Sequence, residues 1–244
     1  LSFLGLDIGS SGTVKTAAIV LGLVMCGNWT TGRVRSHIEH KIREQLPQTL
    51  GPADRYEVHV SADLLGLVSG RMNRLTIHAD SVFLKKRAEM QTMDVDMRGV
   101  RFSVWTSSFT GARSATIRAT MQSDQLQRYL ARKYTDITDI TCRLEPGKFY
   151  LNAKPSLAGV DMPVESQGTL RISAPDSISV DLQKVTVLGI TAPDFITRFI
   201  TNRFNPVLQT SEFGLKARIT GLSVEENKAS IEADLDVNKG FGIR

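Results

Sequence analysis

The side chains of this chain that could act on a substrate never assemble into a catalytic pattern. His37 and His40 stand three residues apart in a helical stretch, a spacing at which two imidazoles can share a metal. No further ligands follow at a matching interval, so both read as polar-face residues. His59 and His78 fall on the polar sides of alternating segments and read as solvated. Cys142 shares a strand face with Ile140 and Leu144, the place of a small buried hydrophobe, while Cys26 lies in an apolar run near the start; no disulfide between them is expected. Asp94, Asp96, Asp181, Glu232, Asp234 and Asp236 sit on polar strand positions, where solvation and edge protection account for them. Residues 9–16, GSSGTVKT, approach a phosphate-binding loop, but Val14 stands where the second glycine belongs. There is no Gly-x-Ser-x-Gly elbow, no His-Glu-x-x-His, no cysteine pair at zinc spacing and no complete dinucleotide fingerprint. The expectation is a protein that is not an enzyme and needs no cofactor or metal.

What remains is apolar chemistry. Residues 191–208 predict a long helix in which Phe195, Ile196, Phe199, Ile200, Phe204, Val207 and Leu208 fall on one broad face, with Arg198, Thr201, Asn202 and Asn205 opposite. Pro193 suits the first turn and Asp194 the positive end of the helix dipole. Met90, Met93, Met97, Met121 and Met162 fall on or near apolar strand faces, and methionine adapts to irregular partners. A long apolar helix against a curved sheet can enclose a dry core or an acyl chain.

The chain has 244 residues, a formal charge of +5 and a sequence pI of about 9.3. That length builds one β-rich domain or two small ones, and the mild basicity favours anionic surfaces. The basic residues are scattered and do not alternate with exposed aromatics, so nucleic acid is not an expected partner.

Taken in order, residues 17–27 (AAIVLGLVMCG) form an apolar run preceded by Lys15, with about the length of a signal-peptide core. Residues 1–28 are therefore expected to be a leader or a membrane anchor of an exported, cell-envelope protein. Residues 33–46 predict an amphipathic helix ended by Pro47, and residues 48–54 a linker. From Arg55 the apolar period changes to two and stays there: Tyr56/Val58/Val60, Leu75/Ile77/Ala79, Met93/Val95/Met97, then Val100/Phe102/Val104 after a bend at Gly99. Ala115/Ile117/Ala119/Met121 leads into a short helix over 124–134, capped by Ser123 with Leu126, Tyr129, Leu130 and Tyr134 inward. Further strands recur to Leu235, and residues 238–244 read as a tail. The fold class expected is α+β: one strongly curved antiparallel sheet wrapped around one long amphipathic helix, with an N-terminal helix and a short middle helix, forming a single domain over residues 29–237.

Residues 56–102 resemble the LmeA-like phospholipid-binding family. The features are an apolar segment at 64–68, the turn Ser69-Gly70-Arg71, a strand over 74–82 reading RLTIHADSV, and a strand at 93–100 ending Gly-Val. The rhythm continues over about residues 33–237. One departure is Ser61-Ala62-Asp63-Leu64, where a Gly-Phe-Pro-Phe-like run is expected. The resemblance implies a curved sheet packed around helices, as in tubular lipid-binding folds, and binding of phospholipid, anionic phosphoinositide included, at a membrane surface in the cell envelope. Acyl chains would contact Phe195, Ile196, Phe199, Ile200, Phe204, Met93, Met97 and Phe102, and Arg71 and Arg74 would face the headgroup at the rim. The alternative is an accessory envelope protein with a dry core that docks a membrane partner.

Overall fold

The structure, a computed structural model, describes residues 31–237 apart from 86, 104–107 and 158–159. The expected leader, Cys26, Val104 and the tail lie outside the described residues. In chain order the elements are α1 (Thr31–Thr49), β1 (Arg55–Ser61), α2 (Leu64–Val68), β2 (Arg71–Leu84), β3 (Ala88–Ser103), β4 (Ser108–Gly111) and β5 (Ser114–Gln122). Then come α3 (Ser123–Lys133), β6 (Ile137–Glu145), β7 (Lys148–Leu157), β8 (Val160–Asp161), β9 (Val164–Ala174), β10 (Ser177–Val187) and β11 (Ile190–Thr191). The described residues close with α4 (Asp194–Phe204), β12 (Leu208–Gln209), a 3-10 turn at Thr210–Phe213, β13 (Ala217–Glu225) and β14 (Lys228–Leu235). No helix among the described residues is long and apolar enough to cross a membrane.

The architecture is α+β, but the strands form two antiparallel sheets where one was expected. The first runs β1-β2-β3-β5-β14-β13 with β4 on β3; the second runs β11-β10-β9-β7-β6 with β12 on β10 and β8 on β7. Side chains opposite each other in an antiparallel sheet share a face, so the register defines rows. One row crosses the first sheet through Tyr56, Ala79, Met93, Ala119, Ile231 and Leu222. The next crosses through Val58, Ile77, Val95, Ile117, Ala233 and Ile219. These rows are the apolar face.

Two helices cover it. Leu46 and Leu50 of the α1 segment are buried, and Ile38 and Ile42 pack beside them. α1 also guards the free edge of β1, where Glu39 accepts the Val60 N–H at 2.8 Å. Pro47 does not end α1, contrary to expectation: it lies inside the last turn, and Leu50 N–H still reaches the Leu46 carbonyl at 2.8 Å. The proline forgoes the one bond its missing N–H would have made to the Arg43 carbonyl, and the last turn still closes through Leu50. α3 packs between β3 and β6, one from each sheet, and buries Leu126, Tyr129 and Leu130. Gln125 caps it by accepting the Gln122 N–H at 2.9 Å, while Ser123, the expected cap, accepts instead from the Leu144 N–H of β6 at 3.1 Å.

The helix expected over 191–208 forms only between Asp194 and Phe204. Asn205 ends it. Its amide accepts from the Val180 N–H at 2.7 Å and donates to the Val180 carbonyl at 2.9 Å, doing for β10 what a neighbouring strand would do. Leu208 then pairs with Ile178 as strand. The apolar residues also divide. Ile200 and Phe204 are buried and Ile196 is half-buried, one stripe at four-residue spacing, whereas Phe195 and Phe199 form a second stripe that faces solvent. Among the described residues the longest helix is α1, and α4 packs on β10 of the second sheet.

Gly168 shows how closely β9 and β10 are packed. A Cβ placed there would lie 2.2 Å from the Asp181 carbonyl oxygen, a backbone atom with no freedom to swing aside. Gly168→Ala should therefore lower stability by about 1–3 kcal/mol, read as a fall in the midpoint of chemical denaturation.

Candidate lipid-binding face

The apolar face of the first sheet is covered unevenly. On β1 to β3, Val58, Ile77, Met93, Val95 and Met97 are buried. On β5, β14 and β13 the first of these rows loosens: Ala119, Ile231 and Leu222 are half-buried, as are Val224 and Ala217 of β13, whereas Ile117, Ala233 and Ile219 of the second row stay buried. α1 lies over β1, α3 over β3 and β5, and strands of the second sheet touch β13 and β14, so the partial opening is confined to the single row through Ala119, Ile231 and Leu222 and its β13 neighbours. Where β13 and β14 meet the turn after β12 is a cleft of about 450 Å³. Leu215, Ala217 and Leu235 line it together with charges of both signs, Lys216 and Arg218 against Asp176, Asp234 and Asp236.

The same end of the sheet carries arginines. Arg71 and Arg101 are paired directly across β2 and β3, both are exposed, and neither has an ion-pair partner among the described residues. Like charges set opposite each other repel. Arg74 and Arg98 form the next cross-strand pair, and Arg113 packs against Gly99. Among the described residues Asp96 is the carboxylate that pairs with this group. Arg74 grips it with two bonds, Nε to Oδ1 at 2.8 Å and Nη2 to Oδ2 at 2.7 Å, and this contact holds the Asp96 carboxyl below its ordinary range. A guanidinium so held is committed to its carboxylate. Gly111 of β4 lies close to both Arg101 Nη2 and the Val237 carbonyl just beyond β14, each 3.8 Å from where a Cβ would stand.

The residues expected to contact lipid are not gathered in one place. Met93 is 0 % exposed and Met97 3 %, so both are packed into the core and do not line an open trough. Phe102 is half-buried on β3, opposite Phe109 of β4, and its N–H donates to the Gly70 carbonyl at 2.9 Å. Ile200 and Phe204 are buried against the second sheet, Ile196 is half-buried, and Phe195 and Phe199 project from α4. Arg71 and Arg74 lie on the outer face of β2. The partly open row and Arg101 were missed. Their signal lies in the register, since Arg101 is thirty positions from Arg71 and nothing local joins them.

Two reactive groups complete the inventory. Burial pushes the Cys142 thiol up to about 12, so it is an inert thiol that donates to the Ser123 carbonyl at 3.0 Å. His78 is not simply solvated. Asp94, its register partner on β3, lies 2.6 Å from Nδ1, and Asp80 lies 3.2 Å from Nε2. The Asp94 bond raises the imidazole above its usual value. A raised pKa stabilises the fold below the unfolded pKa, and that contribution is lost as pH rises through the folded one. Urea midpoints should thus decline as pH rises above the ordinary imidazole range of about 6.5, and His78→Gln should flatten this decline. Among the described residues, no group of three His, Cys, Asp or Glu side chains could hold a metal ion.

The chain is an antiparallel α+β protein in which one row of the apolar face of the first sheet is left partly open. The profile of the LmeA-like phospholipid-binding family matches residues 29–234, and the chain belongs to that family. Neither a curated protein nor a solved structure matches it.

Proposed function

We propose that the protein holds phospholipid in the cell envelope, with acyl chains against the partly open row of the first sheet and an anionic headgroup at the arginine end, in support of envelope lipid assembly. Membership of a phospholipid-binding family carries the ligand class. The observation that supports the location is the loss of cover from Met93 to Ile231 along a single apolar row. Each methylene moved from water onto that surface contributes about 0.8 kcal/mol. At the rim, Arg71 and Arg101 can share a phosphate through charge-assisted bonds. Their repulsion in the empty protein is the reason the pair suits an anion: a bound phosphate relieves it.

Titration with fluorescent phosphatidylglycerol and phosphatidylcholine tests this reading. The wild type should prefer the anionic lipid, and the preference should weaken as salt rises. Arg71→Gln with Arg101→Gln should remove the preference while raising stability by about 0.2–1 kcal/mol, since like charges no longer face each other. Equal binding of both lipids, unchanged in the double variant, would overturn the headgroup assignment.

A further inference from the structure

Four large apolar side chains crowd the far end of the second sheet, away from the face just described. Leu188 is 70 % exposed, Ile190 74 %, Phe195 66 % and Phe199 46 %. Leu188 and Gly189 form the two-residue turn between β10 and β11, with Val187 directly opposite Ile190. Both turn residues have positive φ, 53° and 77°. Such turns favour Asn-Gly, because asparagine tolerates this backbone region and faces water without loss. Leucine is disfavoured there twice, by its backbone and by the solvent. α4 starts a few residues later, and its outward stripe adds Phe195 and Phe199 to the same end. Arg198 lies between them in sequence, exposed and with no ion-pair partner among the described residues.

We propose that this tip inserts into the interfacial layer of a lipid bilayer, seating the protein on the membrane from which its ligand comes. The purpose of the contact rests on the phospholipid reading above; the insertion itself does not. Size and charge favour a bilayer over a protein partner. A stable protein interface takes roughly 20–30 residues and about 800 Å² on each side, and this tip offers a turn and one short helix stripe. A membrane interface asks for less: apolar side chains sunk at the level where headgroups meet acyl chains, with a cation left among the phosphates. Leu188, Ile190, Phe195 and Phe199 supply the first, and Arg198 the second.

The test uses the full chain with vesicles of phosphatidylcholine and phosphatidylglycerol. Phe195→Trp and Ile190→Trp are made separately, and the wild-type emission from Trp29 and Trp105 is subtracted. Each new tryptophan should shift to the blue and be quenched by bromine-labelled acyl chains. Ile190→Asp with Phe195→Asp should lower vesicle partitioning more than tenfold, with the far-ultraviolet spectrum and thermal midpoint unchanged. Leu188→Asn should weaken partitioning while raising the midpoint. The proposal is overturned if the protein sediments with vesicles while both tryptophans stay unquenched, if the aspartate variant partitions like the wild type, or if the tip mediates a dimer and no quenching occurs. Lipid carried through purification, read by mass, separates the two readings. A quenched tip on a protein that carries no lipid refutes the lipid-holding reading alone, and an unquenched tip on a lipid-loaded protein refutes this one alone.

Discussion

Phe204→Ala is expected to lower stability by about 3–5 kcal/mol, the largest loss at any single position in α4. The Phe204 ring is 2 % exposed and meets the edge of Tyr134 at a centroid distance of 5.1 Å. The Tyr134 hydroxyl then donates to the Phe204 carbonyl at 2.9 Å, so one residue joins α4 to the end of α3 through both ring and backbone. The surroundings are already fixed. Lys133 bonds the carbonyls of Pro206 and Val207 and pairs with Glu212 at 2.8 Å, and Tyr129 donates to Glu212 at 2.6 Å. A cavity here cannot collapse without disturbing that network, which places the cost toward the upper end of the range. Phe199→Ala, five residues earlier, should cost within about 0.5 kcal/mol, as exposed substitutions do. Urea denaturation of both variants measures the contrast directly. Equal losses would mean that the phenylalanines act as one buried face.

Leu222→Glu with Ile231→Glu is expected to lower phospholipid affinity more than tenfold while leaving the protein folded. The two residues oppose each other on β13 and β14 and are half-buried, so carboxylates there can stay hydrated when no lipid is present. Bound acyl chains would have to strip that water away, and an ionised carboxylate resists desolvation strongly. Val95→Glu, in the neighbouring row but 3 % exposed, should unfold the protein instead. Displacement of a fluorescent phospholipid, with circular dichroism as the control for folding, reads both outcomes.

Period-two alternation made most of the first sheet legible. Met93, Val95 and Met97 alternate with charged residues because one face of β3 is core and the other is solvent, and that contrast is written locally. Gly99 was legible for the same reason, and its φ of 59° is the bend expected there. What alternation does not encode is which strand lies beside which. The pairs Arg71 with Arg101 and His78 with Asp94 exist only through register, so the arginine end and the imidazole clamp were out of reach. The division into two sheets was hidden likewise, since strands of either sheet read alike one at a time. The end of α4 was lost for another reason. Asn205 continues a helical pattern in polarity, but its amide has two backbone groups of Val180 to satisfy, and that tertiary contact overrides the periodicity. The seven apolar residues of 191–208 look like one face until the four-residue steps are followed, when Ile196, Ile200 and Phe204 part from Phe195 and Phe199.

Native mass spectrometry of the purified full chain, paired with organic extraction of the same sample, decides whether the partly open row is a lipid site. The account predicts a mass above that of the polypeptide by one phospholipid or more, the same lipid in the extract, and loss of both in the Leu222→Glu/Ile231→Glu variant. A bare polypeptide mass with an empty extract, persisting after incubation with phosphatidylglycerol vesicles, would contradict it.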